Sequence, residues 1–185
     1  SEEYNTNGIV ISKGSFLNNL KDGEWIEYER TLPLIRYESE INMEMPPTRK
    51  GTYRRGLEVG IWLSYYDRDL KRLAASRAYA SGVKDGLWEE FDRKGKLKTR
   101  GNYIQDIKDG LWIETDSLGV RSSGSYWNGK RDGSWVGRKK EMPELMGEYK
   151  NGCKIGYWYE YPGWQGNYKD CVKVGDWAQN AAHHK

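Results

Sequence analysis

The sequence predicts an all-β repeat protein: an elongated, single-layer antiparallel sheet of about seven stacked β-hairpins. Three observations carry this. The first is composition: 9 Trp, 14 Tyr, 2 Phe and 22 Gly stand among 185 residues that are short of Leu, Ile and Val. Few aliphatics signal disorder when net charge is high, but 30 Lys+Arg against 27 Asp+Glu leave only +3. Each buried aromatic removes about 150–250 Å² from water, so the aromatics replace an aliphatic core. The second is a repeat. Seven Gly-x-Trp triplets end at Trp25, Trp62, Trp88, Trp112, Trp135, Trp158 and Trp177. Nine residues before each Trp stands an aromatic: Phe16, Tyr53, Tyr79, Tyr103, Tyr126, Tyr149 and Tyr168. The third is that all length variation lies in the connectors between repeats, where all 5 prolines also fall. Proline removes a ladder donor, so its exclusion marks the repeats as paired strands.

Each repeat reads as Gly-x-Tyr-x(4)-Lys-x-Gly-x-Trp. The first glycine is replaced only by Arg77, and the basic column only by Glu58. The middle of each repeat carries a turn pair such as Asn128-Gly129 or Asn151-Gly152 between aromatic runs, the strongest short hairpin signal. A two-residue turn pairs the Tyr with the basic residue and sets the two column glycines opposite each other. The resulting gap would take a Tyr or Trp of the neighbouring repeat. Strand parity places Gly, Tyr, Lys, Gly and Trp on one face. The other face carries Leu20, Leu57, Val83 and Ile107 with Tyr28, Tyr65 and Phe91, and parity does not decide which face is better covered.

These columns resemble MORN-type repeats (membrane occupation and recognition nexus), most closely the variant with Gly-x-Trp in place of Gly-x-Gly. Gly124-Ser125-Tyr126-Trp127-Asn128-Gly129-Lys130-Arg131-Asp132-Gly133-Ser134-Trp135 is similar to that variant directly. The resemblance implies antiparallel stacked hairpins used as scaffolds and protein-binding modules. It also implies a lipid-associated role in some members and antitoxin-like roles in bacterial ones. The repeat with Arg77 and the long first connector depart from the pattern.

The chain reads as a single repeat domain over 1–185, with an N-terminal half repeat or cap at 1–13, an inserted connector at 31–50 and a tail at 178–185. Tyr4 precedes Phe16 as Phe91 precedes Tyr103, which puts Ser1 in the Trp column. A degenerate cap and a cut from a longer parent both fit.

Catalytic chemistry is not expected. The only histidines, His183 and His184, lie in the tail, so no histidine triad or histidine metal cluster can form within the repeats. No cofactor is expected: the glycines follow strand geometry and no phosphate-cradling motif occurs. The recurrent Asp22, Asp85, Asp109 and Asp132 read as turn residues before catalytic acids. Cys153 and Cys171 lie in consecutive hairpin loops, about 10 Å apart at two strand spacings, so free thiols are preferred over a disulfide. The basic column could stack single-stranded nucleic acid, but the small net charge and the Lys–Tyr pairing favour a structural cation–π role. No apolar run is long enough for a transmembrane helix. The N-terminal residues carry no signal-peptide pattern. The expected location is cytoplasmic, or organellar after presequence removal.

Two segments are the candidate partner-binding sites. One is the connector 31–50, with Leu32, Leu34, Ile35, Tyr37, Ile41, Met43 and Met45. It either folds back over the sheet or docks a partner. The other is the aromatic-rich end, with Tyr157, Tyr159, Tyr161 and Trp164. The expected function is a non-enzymatic interaction scaffold, a structural or accessory subunit binding protein partners within a larger assembly. An antitoxin or immunity protein blocking a toxin is the alternative, and a peripheral membrane adaptor the third. Membrane insertion is excluded and nucleic acid is not an expected partner.

Overall fold

The computed structural model describes residues 1–4, 6, 8, 10–28, 48–67, 69–138, 145–160 and 163–179. They fold into antiparallel hairpins, with no helix among them. The chain forms two compact units, Ser1–Leu97 and Lys98–Lys185. The first holds β1 (Glu2–Tyr4), β2 (Val10–Leu17), β3 (Leu20–Glu27), β4 (Thr48–Arg54), β5 (Leu57–Tyr65), β6 (Leu73–Ala80) and β7 (Val83–Phe91). The second begins in β8 (Leu97–Ile104). It continues through β9 (Ile107–Thr115), β10 (Arg121–Trp127), β11 (Lys130–Arg138), β12 (Leu145–Lys150), β13 (Cys153–Glu160), β14 (Trp164–Lys169) and β15 (Val172–Gln179). Within each unit every strand pairs antiparallel with its sequence neighbours.

All seven repeats turn on two residues with positive φ, from Asn18 (50°) and Asn19 (62°) to Asp170 (49°) and Cys171 (71°). This is the turn whose twist matches that of the flanking strands. The pairing of the aromatic and basic columns follows as expected, with Phe16 opposite Lys21, Tyr103 opposite Lys108 and Tyr126 opposite Arg131.

The Gly–Gly pairing does not occur. Between Ser15, which faces Asp22, and Gly14, which faces Trp25, the register slips by two residues. Gly23 and Glu24 form a bulge, and the same slip recurs between Lys50 and Thr52, Ser123 and Ser125, and Gln165 and Asn167. The second-column glycine takes the left-handed conformation the bulge needs, as at Gly60 (φ +67°) and Gly133 (φ +71°). The first-column glycine has a steric role: a Cβ at Gly51 would lie 2.2 Å from Trp62 Cδ2. The same holds at Gly14, Gly101, Gly124, Gly147 and Gly166, each against the Trp of its own repeat. The neighbouring strand places a second such glycine beside the ring, Gly51 beside Trp25 and Gly147 beside Trp135. Flanked this way, Trp25, Trp112, Trp135 and Trp158 are 1–2% exposed although the sheet is one layer deep, and Trp62, whose neighbour on the next strand is Arg77, is 1% exposed.

On the opposite face, the residue starting a second strand lies over the next repeat's turn within the same unit. A Cβ at Gly56 would touch Leu20, one at Gly82 Leu57, one at Gly129 Ile107, and one at Gly152 the stem of Lys130. Cys153 and Cys171 occupy these two positions in the last pair of repeats, and they are joined in a disulfide with Cα atoms 4.6 Å apart. The expectation of free thiols is corrected. It measured between equivalent points of two hairpins, whereas Cys153 opens β13 and Cys171 closes the turn after β14, one strand spacing away. Cys171 N–H donates to Lys154 O at 3.2 Å across the same gap.

Two of the recurrent aspartates serve the turns of their neighbours: Asp22 accepts from Arg55 N–H at 3.0 Å and Asp132 from Asn151 N–H at 3.1 Å. Asp92 and Asp116 instead close connectors through Asx turns, accepting from Lys94 and Lys96 N–H and from Leu118 and Val120 N–H. At the N-terminus Ser1 exchanges backbone hydrogen bonds with Gly14 (2.8 and 3.0 Å), the place a Trp holds in full repeats.

Candidate interaction surface

The Trp face is a closed network. Ring contacts run edge to face along Phe16, Trp25, Tyr53 and Trp62 at 4.9–6.1 Å. In the second unit they run unbroken from Tyr103 through Trp112, Tyr126, Trp135, Tyr149, Trp158 and Tyr168 to Trp177. A column cation lies over each indole: Lys21 4.2 Å from the Trp25 ring, Lys108 4.3 Å from Trp112, Arg131 4.2 Å from Trp135, Lys173 3.9 Å from Trp177. In the second repeat, where the column holds Glu58, Arg49 of the facing strand takes this place. Its guanidinium is 4.5 Å from the Trp62 ring and 2.7 Å from Glu58.

Each cation meets a carboxylate two residues beyond a Trp, a column the sequence reading missed. Glu27 pairs with Lys21 (2.9 Å) and Arg49 (2.7 Å), Glu114 with Lys108 (2.5 Å) and Arg131 (2.8 Å), and Glu160 with Lys154 and Lys173 (2.9 Å). Tyr53, Tyr126 and Tyr168 donate their hydroxyls to these same carboxylates. Glu3 extends the column into the half repeat, 3.4 Å from Lys21. Burial opposes the charge of Glu160, but hydrogen bonds from Lys154, Lys173 and Tyr168 outweigh it and hold the carboxyl at about 2. For Glu27 and Glu114 burial is likewise overcome by the paired cations, and both stay below the usual carboxylate range. Burial, then Glu160, push the Tyr168 phenol up to about 12. The charges of this face are spent on one another. Among the described residues no three metal-ligating side chains converge.

The opposite face is covered on its connector side, where Tyr65 and its cross-strand partner Thr48 are buried, and open elsewhere. Leu111 is 79% and Trp127 68% exposed, and Ile61, Leu87, Ile104, Ile107, Val136 and Tyr157 are also exposed. This settles which face is covered: the aromatic columns close one, and apolar side chains stand in solvent on the other.

The predicted sites fall unevenly on this frame. Leu32, Leu34, Ile35, Tyr37, Ile41, Met43 and Met45 lie outside the described residues, as does Tyr161. Tyr157 and Tyr159 alternate with Trp158 and belong to the open face; Tyr157 is exposed, whereas the Tyr159 hydroxyl is buried with no hydrogen-bond partner among the described residues. Trp164 is exposed but pairs with Glu160 and so shares the Trp face. The aromatic end is therefore divided between two faces. Trp127 was overlooked because Tyr126 beside it fills the column, yet its place one residue beyond Tyr126 in the same strand puts it on the opposite face.

No protein-family model matches the chain, and no curated protein is significantly similar to it. Among the described residues no helix is long and apolar enough to cross a membrane.

Proposed function

We propose that this protein is a non-catalytic interaction module of the MORN-like hairpin-repeat type, which binds protein partners through the open face of its sheet. The observation that carries this is the asymmetry of the two faces. One consumes its aromatics and charges internally, while the other keeps large apolar side chains such as Leu111, Trp127 and Tyr157 in solvent. Exposed apolar surface of this kind marks interaction sites, and exposed aromatics are the commonest anchors of interfaces. The Gly-x-Tyr and Gly-x-Trp columns and their resemblance to scaffold repeats support the same reading. The sheets are one layer deep and the ionisable groups of the Trp face are engaged with each other, which favours binding over catalysis.

The test is affinity capture from native extract with chemical cross-linking, comparing the intact protein with a Leu111→Asp, Tyr157→Asp double variant. A stoichiometric protein held by the intact chain and released by the double variant, at unchanged circular dichroism, is the expected result. Equal retention by both chains contradicts the open face as the binding surface.

A further inference from the structure

We infer that the turn-side row of the open face in the second unit is a docking track for an extended acidic segment of a protein partner, led by an apolar anchor. The inference rests on the interaction reading above and adds the chemistry of the occupant.

Along this row each strand contributes one residue, the one flanking its turn. Ile104 pairs with Ile107, Trp127 with Lys130, Lys150 with Cys153 and Lys169 with Val172. From β8 to β15 the row therefore reads Ile104, Ile107, Trp127, Lys130, Lys150, Cys153, Lys169, Val172. Apart from half-buried Cys153, all of these residues are exposed. The first three positions are apolar and three of the next four are cationic. Lys130 stands in a column that elsewhere holds Leu20, Leu57 or Ile107; its stem covers Gly152 as theirs cover Gly56, Gly82 and Gly129, and the ammonium extends beyond. Unlike the Trp-face cations, Lys130, Lys150 and Lys169 have no carboxylate partner among the described residues. The equivalent row of the first unit is Leu17, Leu20, Arg54, Leu57, Ala80 and Val83, with a single cation.

The next row inward decides between occupants. Asp109, Asp132 and Glu148 lie there, two residues further from the turns on the same face. A broad polyanion, such as a lipid surface or a nucleic acid lying across the sheet, would meet these carboxylates. A single extended chain following the turn row stays clear of that inner row and meets the apolar residues and the lysines, with Asp106 and Asp170 of the turns as the carboxylates beside it. At about 4.8 Å per strand the eight positions span roughly 34 Å, which is about ten residues of extended polypeptide. The complement is a segment of that length with apolar residues at one end and carboxylates at the other.

The test uses a fluorescein-labelled ten-residue peptide with leucine and phenylalanine in its first four positions and glutamate at alternate positions of the rest, titrated by anisotropy. A peptide with glutamine for glutamate is the control. Binding of the glutamate peptide is expected, weakening as salt rises. The triple variant Lys130→Glu, Lys150→Glu, Lys169→Glu should lose at least about tenfold in affinity, and Trp127→Ala about tenfold. The triple variant Lys71→Glu, Lys94→Glu, Lys96→Glu should bind as before. Circular dichroism and melting temperature verify that the exposed substitutions leave the fold intact. The inference is overturned if the glutamate peptide does not bind, if the glutamine peptide binds equally well, or if the row variants leave its affinity unchanged. It is equally overturned if oligothymidylate or phosphatidylserine vesicles bind in a row-dependent way and the peptide does not. Should the row variants have no effect while Leu111→Asp, Tyr157→Asp still releases a captured partner, only the acidic-track inference fails. If neither set alters capture, the open-face reading fails as well.

Discussion

The third repeat and its neighbours differ at one position, and the difference shows what the first-column glycine does. In the regular repeats the indole lies where a glycine Cβ would be, and in all of them but the last its N–H donates to a nearby backbone carbonyl, as Trp25 does to Ser15 O (3.0 Å) and Trp135 to Ser125 O (3.1 Å). In the third repeat Arg77 faces Trp88 and Trp62, and its Cβ denies Trp88 that place. Trp88 rises to 8% exposure and donates instead to the Glu90 carboxylate (3.2 Å). Arg77 covers the ring at 4.8 Å and pairs with Glu90 at 2.9 Å. The bulge glycine is drawn along: Gly86 reaches φ +104° and lies close against Ala78, whereas Gly60 and Gly133 have open space. The fold tolerates a side chain in the slot when that side chain brings its own cation to the ring.

The largest effect expected from this contrast is at a regular slot. Gly51→Ala drives a methyl into the rigid Trp62 ring and should cost about 3 kcal/mol, whereas Arg77→Ala, in a slot already relaxed, should cost about 1 kcal/mol. Denaturant midpoints measure both, and equal losses would break the comparison. The turn-to-turn contacts give the next effect. Replacing Cys153 and Cys171 by Ser removes the one covalent contact in that series and should cost about 2–3 kcal/mol, localised by hydrogen exchange to β14 and β15. A smaller loss separates the two glycine columns. Gly60→Ala has room for its methyl but must hold a positive φ, so about 1–2 kcal/mol is expected, less than at Gly51.

The smallest effect is electrostatic. The folded Glu160 carboxyl ionises at about 2, against an ordinary 4.5, so between those values the folded state binds fewer protons than the unfolded one. Its stabilisation is complete above that ordinary value and is lost as pH falls towards the folded one. Urea midpoints taken from neutral pH down to about 3 should fall more steeply for the native chain than for Glu160→Gln; parallel curves would remove the shared carboxylate from the account.

The hairpins, their turns and the single-face placement of the aromatic columns were legible in the sequence because turn chemistry and parity are local. Glycines at 23 and 60 looked like partners of those at 14 and 51 because counting from the turn cannot reveal a bulge. The two positive-φ residues and the Gly-x-Trp spacing could have suggested it. The disulfide was misjudged for a related reason: separation was measured between repeats, when the contact is between adjacent strands. The Glu27, Glu114 and Glu160 column was hidden because Ser64, Gly137 and Gln179 interrupt it, and only geometry shows each carboxylate serving two repeats. The open face was the least legible. Leu111 and Trp127 sit beside column residues that drew the signal, and burial is a property of the assembled sheet.

The central claim is that one face is a closed tryptophan core and the other is open. Hydrogen exchange of the indole N–H groups, followed by ¹⁵N-resolved NMR in the native protein, tests it most directly. Trp25, Trp62, Trp112, Trp135 and Trp158 should exchange slowly, because each donates to a backbone carbonyl inside the sheet. Trp88 should be intermediate, and Trp127 should exchange at the rate of free indole. Protection of Trp127 equal to that of Trp135, or fast exchange at the five slot tryptophans, would contradict the account.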